Sequence, residues 1–402
     1  MILINGIFIG FNLFLMKLLN NVYKQKINHV NIFSFVWLFI LLASYIFQFS
    51  SYKIFQETYS IMIISWTFFL LFSIPIYRKE HKIVEDYSYN FKKLKFILWI
   101  LVSLSILAYY ITLSEIYSQI YNLASLAVKR KENAFELVLA NNLFYTIFAN
   151  NNAIIIPAAF MLYKHKSINN ISLSLIILYG FISSAILFTR APILQFIIIN
   201  ILSYLFIFNE GITRKMATII ALLVISFISL FLYSQSLLNL SNSSGFEDLK
   251  IYLLSGINNI QLIINNHYPQ QTNLDSNYYS FDFLNYILKK INLINSYPSL
   301  IREYSPYIES NVYTYLDAFI LDFGIIGAII GSALLGLLGR IIYFKMNTGK
   351  TLFTIIVYSM FSFYSAFIFM NNEFIRFSFI LLIVKALIIE ILIHKKSINE
   401  SN

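Results

Sequence analysis

The stretch NVYTYLDAFILDFGIIGAIIGSALLGLLGRIIY, residues 311–343, decides the fold of this chain. Its apolar part runs from about 314 to 341, which is long enough to cross the ~30 Å of hydrocarbon in a bilayer. It also holds five of the chain's 12 glycines, at positions 324, 327, 331, 336 and 339. Small residues at such spacing let a neighbouring helix approach closely, so the stretch predicts a tightly packed membrane-spanning helix.

The rest of the chain repeats this apolar character. Of its 402 residues, 58% are hydrophobic and 12% are charged, about half the charge of a soluble domain. Further apolar runs lie near 2–16, 31–49, 59–77, 96–115, 143–163, 171–189, 191–208, 216–235, 351–370 and 374–394. The sequence therefore predicts an all-α polytopic membrane protein with about eleven or twelve transmembrane helices, in one integral-membrane domain over residues 1–402.

The basic residues orient these helices. The net charge of +10 is spread over short loops, which fits the positive-inside rule better than a nucleic-acid groove. With the amino terminus outside, the cytoplasmic side receives Lys17, Lys24 and Lys26; Arg78, Lys79, Lys82, Lys92, Lys93 and Lys95; Lys164 and Lys166; Arg214 and Lys215; Arg340, Lys345 and Lys350; and Lys395 and Lys396. The absence of cysteine excludes disulfides and thiolate metal sites.

This orientation places two larger segments outside the cytoplasm. Residues 118–142 have apolar positions around a charged centre, which predicts an amphipathic segment in the membrane interface. Residues 236–312 form a long loop with two expected interfacial helices, 246–264 and 281–294. A loop of this length in a compact protein is usually functional or disordered, and its apolar faces favour a structured cap.

Three arginines near the outer ends of spans are candidates for binding phosphate. Arg190 lies between two adjoining spans, where its guanidinium can face a lipid diphosphate through two parallel hydrogen bonds. An arginine that reaches phospholipid headgroups is the plainer alternative. Arg302, shortly before the glycine-rich span, is the second candidate, and Arg376 is the third, with an ion pair to Glu373 as its alternative.

Candidates for proton transfer are few. His267 is the one histidine expected outside, where it would be a proton acceptor or a structural loop residue. Asp317 begins the glycine-rich span and could serve as a base facing an external cavity, or could simply stabilise the helix N-terminus. Asp322 is expected deeper, near mid-membrane, where a buried pair with Lys385 is the structural explanation and proton coupling the functional one.

The order of these features resembles a known family. YLLSGINNIQLIINNHYP, then SFDFLNYILKKINLI, then the stretch quoted first is similar to Wzy-type oligosaccharide repeat-unit polymerases, also called O-antigen polymerases. The segment Asn311, Tyr313 and Thr314, followed by Asp-Phe-Gly-x-x-Gly at 322–327, carries most of the resemblance. The layout matches from about residue 96 onward, and Arg190 at the mouth of two spans is similar as well.

The resemblance implies a glycosyltransferase of the GT-C type in the bacterial inner membrane, active on its outer face for O-antigen or capsular polysaccharide. Its substrate would be undecaprenyl-diphosphate-linked oligosaccharide, with no cofactor or metal. It allows for a chain-length-regulating co-polymerase as a partner. The implied base is His267, Asp317 or Asp282; the implied diphosphate ligands are Arg190, Arg302 and Arg376; the implied sugar contacts are Tyr278, Tyr279, Asn311, Tyr313 and Thr314. A lipid-linked oligosaccharide flippase and an O-antigen ligase are the alternatives.

Overall fold

A computed structural model of the chain describes residues 2–23, 28–46, 56–75, 89–117, 143–149, 151–185, 190–208, 245–265, 275, 278–297, 314–368 and 376–394. Regular structure within these ranges is helical, with one isolated bridge between Tyr89 and His394. The helices are α1 (Ile2–Val22), α2 (His29–Ile46), α3 (Gln56–Phe72), α4 (Phe91–Tyr117), α5 (Leu143–Phe148), α6 (Asn152–Lys164), α7 (Asn170–Ala185), α8 (Arg190–Phe208), α9 (Gly245–Ile264), α10 (Asp282–Lys290), α11 (Leu316–Gly349), α12 (Leu352–Ala366) and α13 (Phe377–Ile393).

The helices form two compact units, and the chain passes between them more than once. Unit 1 comprises residues 1–82, 241–348 and 361–380, and unit 2 comprises residues 83–240, 349–360 and 381–402. In unit 1, α1 packs on α2 and α3, and α9 packs on α2 and α3. In unit 2, α6 packs on α4, α7 and α8, and its side chains from Asn152 to Leu162 are buried.

The distribution of side chains is that of a membrane protein. Large apolar side chains point outward along several helices, among them Ile7, Phe35 and Ile171. Polar side chains such as Ser65 and Ser255 are buried instead. Three helices are long and apolar enough to cross a membrane: His29–Ile46, Phe91–Ile111 and Leu316–Gly349. Shorter apolar helices accompany them, at Asn152–Lys164, Asn170–Ser184, Pro192–Phe208, Leu254–Ile264 and Leu352–Ala366. The number of spans stays a prediction, and the run at 216–235 lies outside the described residues.

Four elements meet at one end of unit 2: the start of α4, the end of α6, the start of α12 and the end of α13. The Tyr89 hydroxyl donates to Glu390 Oε1 at 2.6 Å and accepts from the Leu352 N–H at 3.2 Å. The Phe91 ring stacks on His165 with 4.3 Å between ring centroids. The expected orientation of this end of unit 2 towards the cytoplasm stays a prediction.

The glycine-rich stretch is a hairpin rather than one straight helix. Gly324 has φ +64° and ψ −158°, a conformation essentially confined to glycine, and the helix breaks there. The Tyr315 hydroxyl lies 2.6 Å from Ser332 Oγ, although these residues would be ~25 Å apart in an unbroken helix. A Cβ added at Gly331 would lie 2.5 Å from the Phe319 ring. The first arm, up to Phe323, therefore folds back on the arm that begins at Ile325.

This hairpin reverses the expected order of two aspartates along the span. Asp322 was expected beyond Asp317, nearer mid-membrane, which assumes an unbroken helix. Because the first arm runs back along the second, Asp322 lies at the tip and Asp317 lies further down, near the level of Ser332. The expectation of a single straight span over 314–341 is wrong for this reason.

The long loop contains both expected helices. The helix predicted over 246–264 is α9, but its second half is buried in unit 1 instead of lying in the interface, with Leu254, Ile257 and Ile260 almost fully covered. The helix predicted over 281–294 is α10, which ends at Lys290. Residues 118–142 lie outside the described ranges.

Candidate functional site

At the tip of the hairpin, the Asp322 carboxylate binds the residues that precede α10. It accepts the Tyr279 N–H at 2.8 Å and the Ser280 N–H at 2.6 Å, and the Ser280 hydroxyl also donates to it. Hydrogen bonds to an ionised carboxylate are about twice as strong as neutral ones. The aspartate of the Asp-Phe-Gly sequence thus fastens residues 279–280, which precede α10, to the hairpin.

Lys385, the residue expected to pair with Asp322, has local partners in unit 2. Its ammonium donates to the Ile147 carbonyl and to Asn151 Oδ1, the latter at 3.1 Å. Asp322 and Lys385 therefore each have hydrogen-bond partners within their own unit. Neither charge requires the expected Asp322–Lys385 pair.

An exposed aromatic group surrounds the hairpin tip. Tyr278, Phe281 and Phe323 are 52%, 41% and 48% exposed. The Tyr278 and Phe323 rings stack with 6.3 Å between centroids, and Phe281 meets both rings edge-on, at 5.8 and 6.5 Å. Such faces can stack on sugar rings or enter the membrane interface. We call these three residues the aromatic rim.

The exposed face of α10 continues this apolar surface. Leu284, Ile287 and Ile291 point outward, as does Leu293 just beyond the helix. On the opposite face Asn285 is buried, and its Nδ2 donates to the Tyr278 carbonyl at 2.8 Å. An amphipathic helix whose apolar face is open is typical of a segment lying in the membrane interface.

The polar side of α10 gathers titratable groups. The Tyr286 ring stacks on Phe377, 4.4 Å between centroids, which brings the chain just after Arg376 against α10. The Lys289 ammonium lies 5.6 Å from the centroid of the Tyr297 ring. Burial, then the neighbouring Asp282 carboxylate and Tyr286, raise the pKa of Tyr297 to about 12. Tyr297 therefore keeps its proton at neutral pH and is a donor beside an acceptor, Asp282.

The base of the hairpin is buried. Thr314 is fully covered, and its hydroxyl accepts the Leu316 N–H at 3.2 Å, which starts the first arm. Tyr315 lies against Trp37, with 5.5 Å between centroids, and its N–H donates to the Ile368 carbonyl at 2.8 Å. Asp317 is 4% exposed, so the expectation that it faces an open external cavity does not hold among the described residues.

The predicted site residues thus fall into three groups. Tyr278, Tyr279 and Asp282 come together at the hairpin tip and α10, with Phe377 bringing the neighbourhood of Arg376 to the same helix. Thr314 and Asp317 lie at the hairpin's buried base. Arg190 is the first residue of α8 in unit 2, and the remaining residues, His267, Arg302, Asn311 and Tyr313, lie outside the described ranges.

Unit 2 contains a polar cluster that the sequence analysis missed. The run expected as one span over 143–163 is interrupted between α5 and α6. Lys385 donates to the last turn of α5, where a cation offsets the helix dipole. The sequence signal was Asn150-Asn151-Asn152, three amides within an apolar run.

Side chains from three further helices complete this cluster. Asn152 Nδ2 donates to Ser183 Oγ and Ser184 Oγ, both at 2.9 Å. The Tyr179 hydroxyl donates to Ser105 Oγ at 2.5 Å, and that serine donates to the Ala149 carbonyl at 3.0 Å. We call the set Ser105, Asn151, Asn152, Tyr179, Ser183, Ser184 and Lys385 the interrupted-helix cluster. Lys385 is the charged member of this cluster, and an ionisable group within an apolar helix bundle is a candidate functional residue.

Asn258 on α9 is an unexplained polar group in unit 1. It is 0% exposed, and neither end of its amide has a hydrogen-bond partner among the described residues. An unpaired buried amide of this kind costs ~1–3 kcal/mol of stability.

We expect Asn258→Leu to leave the unfolding midpoint in detergent unchanged or raised, because leucine removes an unpaired polar group at similar volume. Asn285→Leu is the matched control. It breaks a hydrogen bond to the Tyr278 carbonyl and should cost ~1–3 kcal/mol. A loss in Asn258→Leu as large as in the control would show that this amide has a structural partner.

No group of three or more His, Asp or Glu side chains suited to a metal ion occurs within the described ranges. Comparison of the chain with protein-family models, with curated proteins and with solved structures found no match.

Proposed function

We propose that this protein is a membrane glycosyltransferase that polymerises undecaprenyl-diphosphate-linked oligosaccharide repeat units on the outer face of the bacterial inner membrane. The observation that carries the proposal is the tip of the hairpin. There the Asp-Phe-Gly aspartate fastens an amphipathic helix with an open apolar face and an aromatic rim. A site of this construction suits a substrate with a lipid tail and a sugar headgroup.

In the proposed reaction, a hydroxyl of the incoming repeat unit attacks the anomeric carbon of the growing glycan. The new glycosidic C–O bond forms as the C–O bond to the lipid diphosphate breaks, and the diphosphate leaves with the electron pair. The hydroxyl proton passes to a carboxylate. Of the two predicted carboxylates in the described ranges, Asp282 suits this role better, because Asp317 is buried at the base of the hairpin.

Arginine at the outer surface would stabilise the charge of the leaving diphosphate, since a guanidinium offers two parallel donors. Arg190, Arg302 and Arg376 are the candidates for this role. At the hairpin tip the exposed Tyr278 and Phe281 would supply stacking faces for sugar rings, and Tyr278 a hydroxyl, whereas Tyr279 is buried.

A flippase for the same lipid-linked substrate is the second candidate, and the interrupted-helix cluster favours it. Discontinuous helices with charged groups at the break are common at transport sites. Lys385 at the end of α5 is such a group.

Purified protein in nanodiscs, given lipid-linked repeat units alone, tests the proposal. We expect a ladder of lengthened glycans on gels. Unchanged glycan length with transbilayer movement of the substrate in vesicles would contradict the polymerase and support the flippase.

We expect Arg190→Lys to slow elongation at least ~100-fold, because lysine cannot form the bidentate contact with a diphosphate. Arg340→Lys is the control. Arg340 donates to the Ile74 carbonyl at 2.7 Å in unit 1 and should tolerate the change. Full activity of Arg190→Lys would remove Arg190 from the site.

A further inference from the structure

Unit 2 carries an open cleft of about 1030 Å³ at the end where Tyr89, Glu390 and His165 meet. Three lysines line it: Lys95 on α4, Lys164 at the end of α6 and Lys166 just beyond. All three are exposed. Among the described residues that line the cleft, none is acidic. We call it the lysine cleft.

The backbone holds these lysines in fixed places. Ser167 N–H donates to the Leu162 carbonyl at 2.8 Å and Lys166 N–H to the Tyr163 carbonyl at 2.9 Å, which closes α6 in a Schellman motif. Lys166 occupies the left-handed position of that motif, with φ +55°, where glycine is the usual residue. Lys164 and Lys166 therefore stand at defined backbone positions at the end of α6.

The neighbouring groups add to the positive potential. Lys164 Nζ donates to the Ile207 carbonyl at 2.9 Å, which holds its ammonium at the rim. Asn169 caps α7, accepting the Ser172 N–H at 2.9 Å, so the positive end of that helix dipole opens on the same cleft.

The remaining wall of the cleft is apolar. Tyr163 and Phe208 line it, with 6.4 Å between their ring centroids, and Ile171 is 70% exposed beside them. Cationic groups above an apolar wall, at the end of a membrane-embedded helix bundle, match an amphiphile with an anionic head. A free phosphate would leave the apolar wall uncovered.

We infer that the lysine cleft binds the headgroup of an acidic phospholipid of the surrounding bilayer, with its phosphate between Lys95, Lys164 and Lys166 and its glycerol and acyl region on Tyr163, Phe208 and Ile171. This site is independent of the proposed transferase activity. It would tie unit 2 to membranes rich in anionic lipid.

Native mass spectrometry of the full chain in detergent, titrated with phosphatidylglycerol or phosphatidylcholine, tests the inference. In detergent no lipid surface is present, so only lysines that contact the bound headgroup count, each by about fivefold in affinity. We therefore expect the triple variant Lys95→Gln/Lys164→Gln/Lys166→Gln to bind phosphatidylglycerol at least ~10-fold more weakly, with phosphatidylcholine unaffected. The control Lys92→Gln/Lys93→Gln/Lys345→Gln removes three exposed lysines that do not line the cleft and should bind like the unaltered chain.

The single variant Lys166→Gly tests the same inference if the triple variant fails to fold. Glycine fits the left-handed position, so this variant should melt at the same or a higher temperature while losing about fivefold in affinity for phosphatidylglycerol. Equal phosphatidylglycerol affinity in the triple variant and the unaltered chain, or an equal loss in the control, would overturn the inference. Soluble glycerophosphate binding as tightly as phosphatidylglycerol would overturn the assignment to a lipid.

Discussion

Replacing Asp322 with asparagine is expected to release the start of α10 from the hairpin. The aspartate accepts two backbone N–H groups and one hydroxyl, whereas asparagine has one acceptor oxygen and would turn an NH₂ group towards those donors. Losing a charge-assisted anchor of this kind costs ~2–4 kcal/mol. Residues 278–285 should lose protection from hydrogen exchange while the second arm of the hairpin keeps it. If the proposed function holds, elongation should fall as well, because the aromatic rim and Asp282 lose their support.

Asp275→Asn is the matched control for this change. Asp275 also accepts backbone N–H groups, from Asn295 at 2.5 Å and Ser296 at 3.2 Å, but it is exposed and its partners follow α10, whereas those of Asp322 precede it. We expect it to alter exchange near 292–297 alone. Unchanged protection at 278–285 in Asp322→Asn would show that the tip does not depend on this carboxylate.

Gly336→Ala is expected to be strongly destabilising. A Cβ at this position would lie 2.2 Å from the Phe69 carbonyl oxygen, which is backbone of α3 and cannot rotate away. Relieving the overlap must separate α11 from α3, where Ser73 Oγ also donates to the Gly336 carbonyl at 3.4 Å. We expect a loss of ~2–3 kcal/mol, seen as a lower unfolding midpoint in detergent.

Gly10→Ala serves as the comparison for that measurement. It replaces a helical glycine of α1 that has nothing within 4 Å of an added Cβ. Alanine should be neutral or stabilising there, because glycine is a poor helix former. Equal melting of the two variants would contradict the close approach of α3 and α11.

The sequence was sufficient to predict the class of fold. Hydrophobic run length and composition predicted a helical membrane protein, and the helical spacing of the apolar residues at 281–294 predicted α10. Both are local properties, since they depend on residues within a few turns of one another.

The hairpin could not be predicted in the same way. The hydrophobic pattern of an apolar run of this length is the same whether the run crosses the membrane once or folds back on itself. The five glycines looked like one packing face, yet Gly324 makes the turn, Gly331 admits the Phe319 ring and Gly336 admits α3. Only the backbone angles of Gly324 distinguish these roles.

The interrupted-helix cluster was missed for a related reason. Lys385 and Asp322 were expected to pair because both were expected at mid-membrane depth, and depth was counted along unbroken helices. Lys385 instead binds the Ile147 carbonyl, which is available because α5 ends there. A break in a helix leaves backbone carbonyl oxygens without helical partners, so they can accept hydrogen bonds. The spacing of residues along the sequence does not show where this happens.

Disulfide formation in the double variant Phe319→Cys/Gly331→Cys is the most direct test of the hairpin. The chain has no cysteine of its own, so a bond can form only between the introduced pair. In the hairpin, position 331 faces the residue at 319, and oxidation of the protein in membranes should give a rapid, complete intramolecular disulfide that shifts its mobility on gels. In an unbroken helix the two positions would be ~18 Å apart and no bond would form. A protein that stays fully reduced at these cysteines, while remaining folded, would contradict the hairpin and with it the placement of Asp322 at the tip.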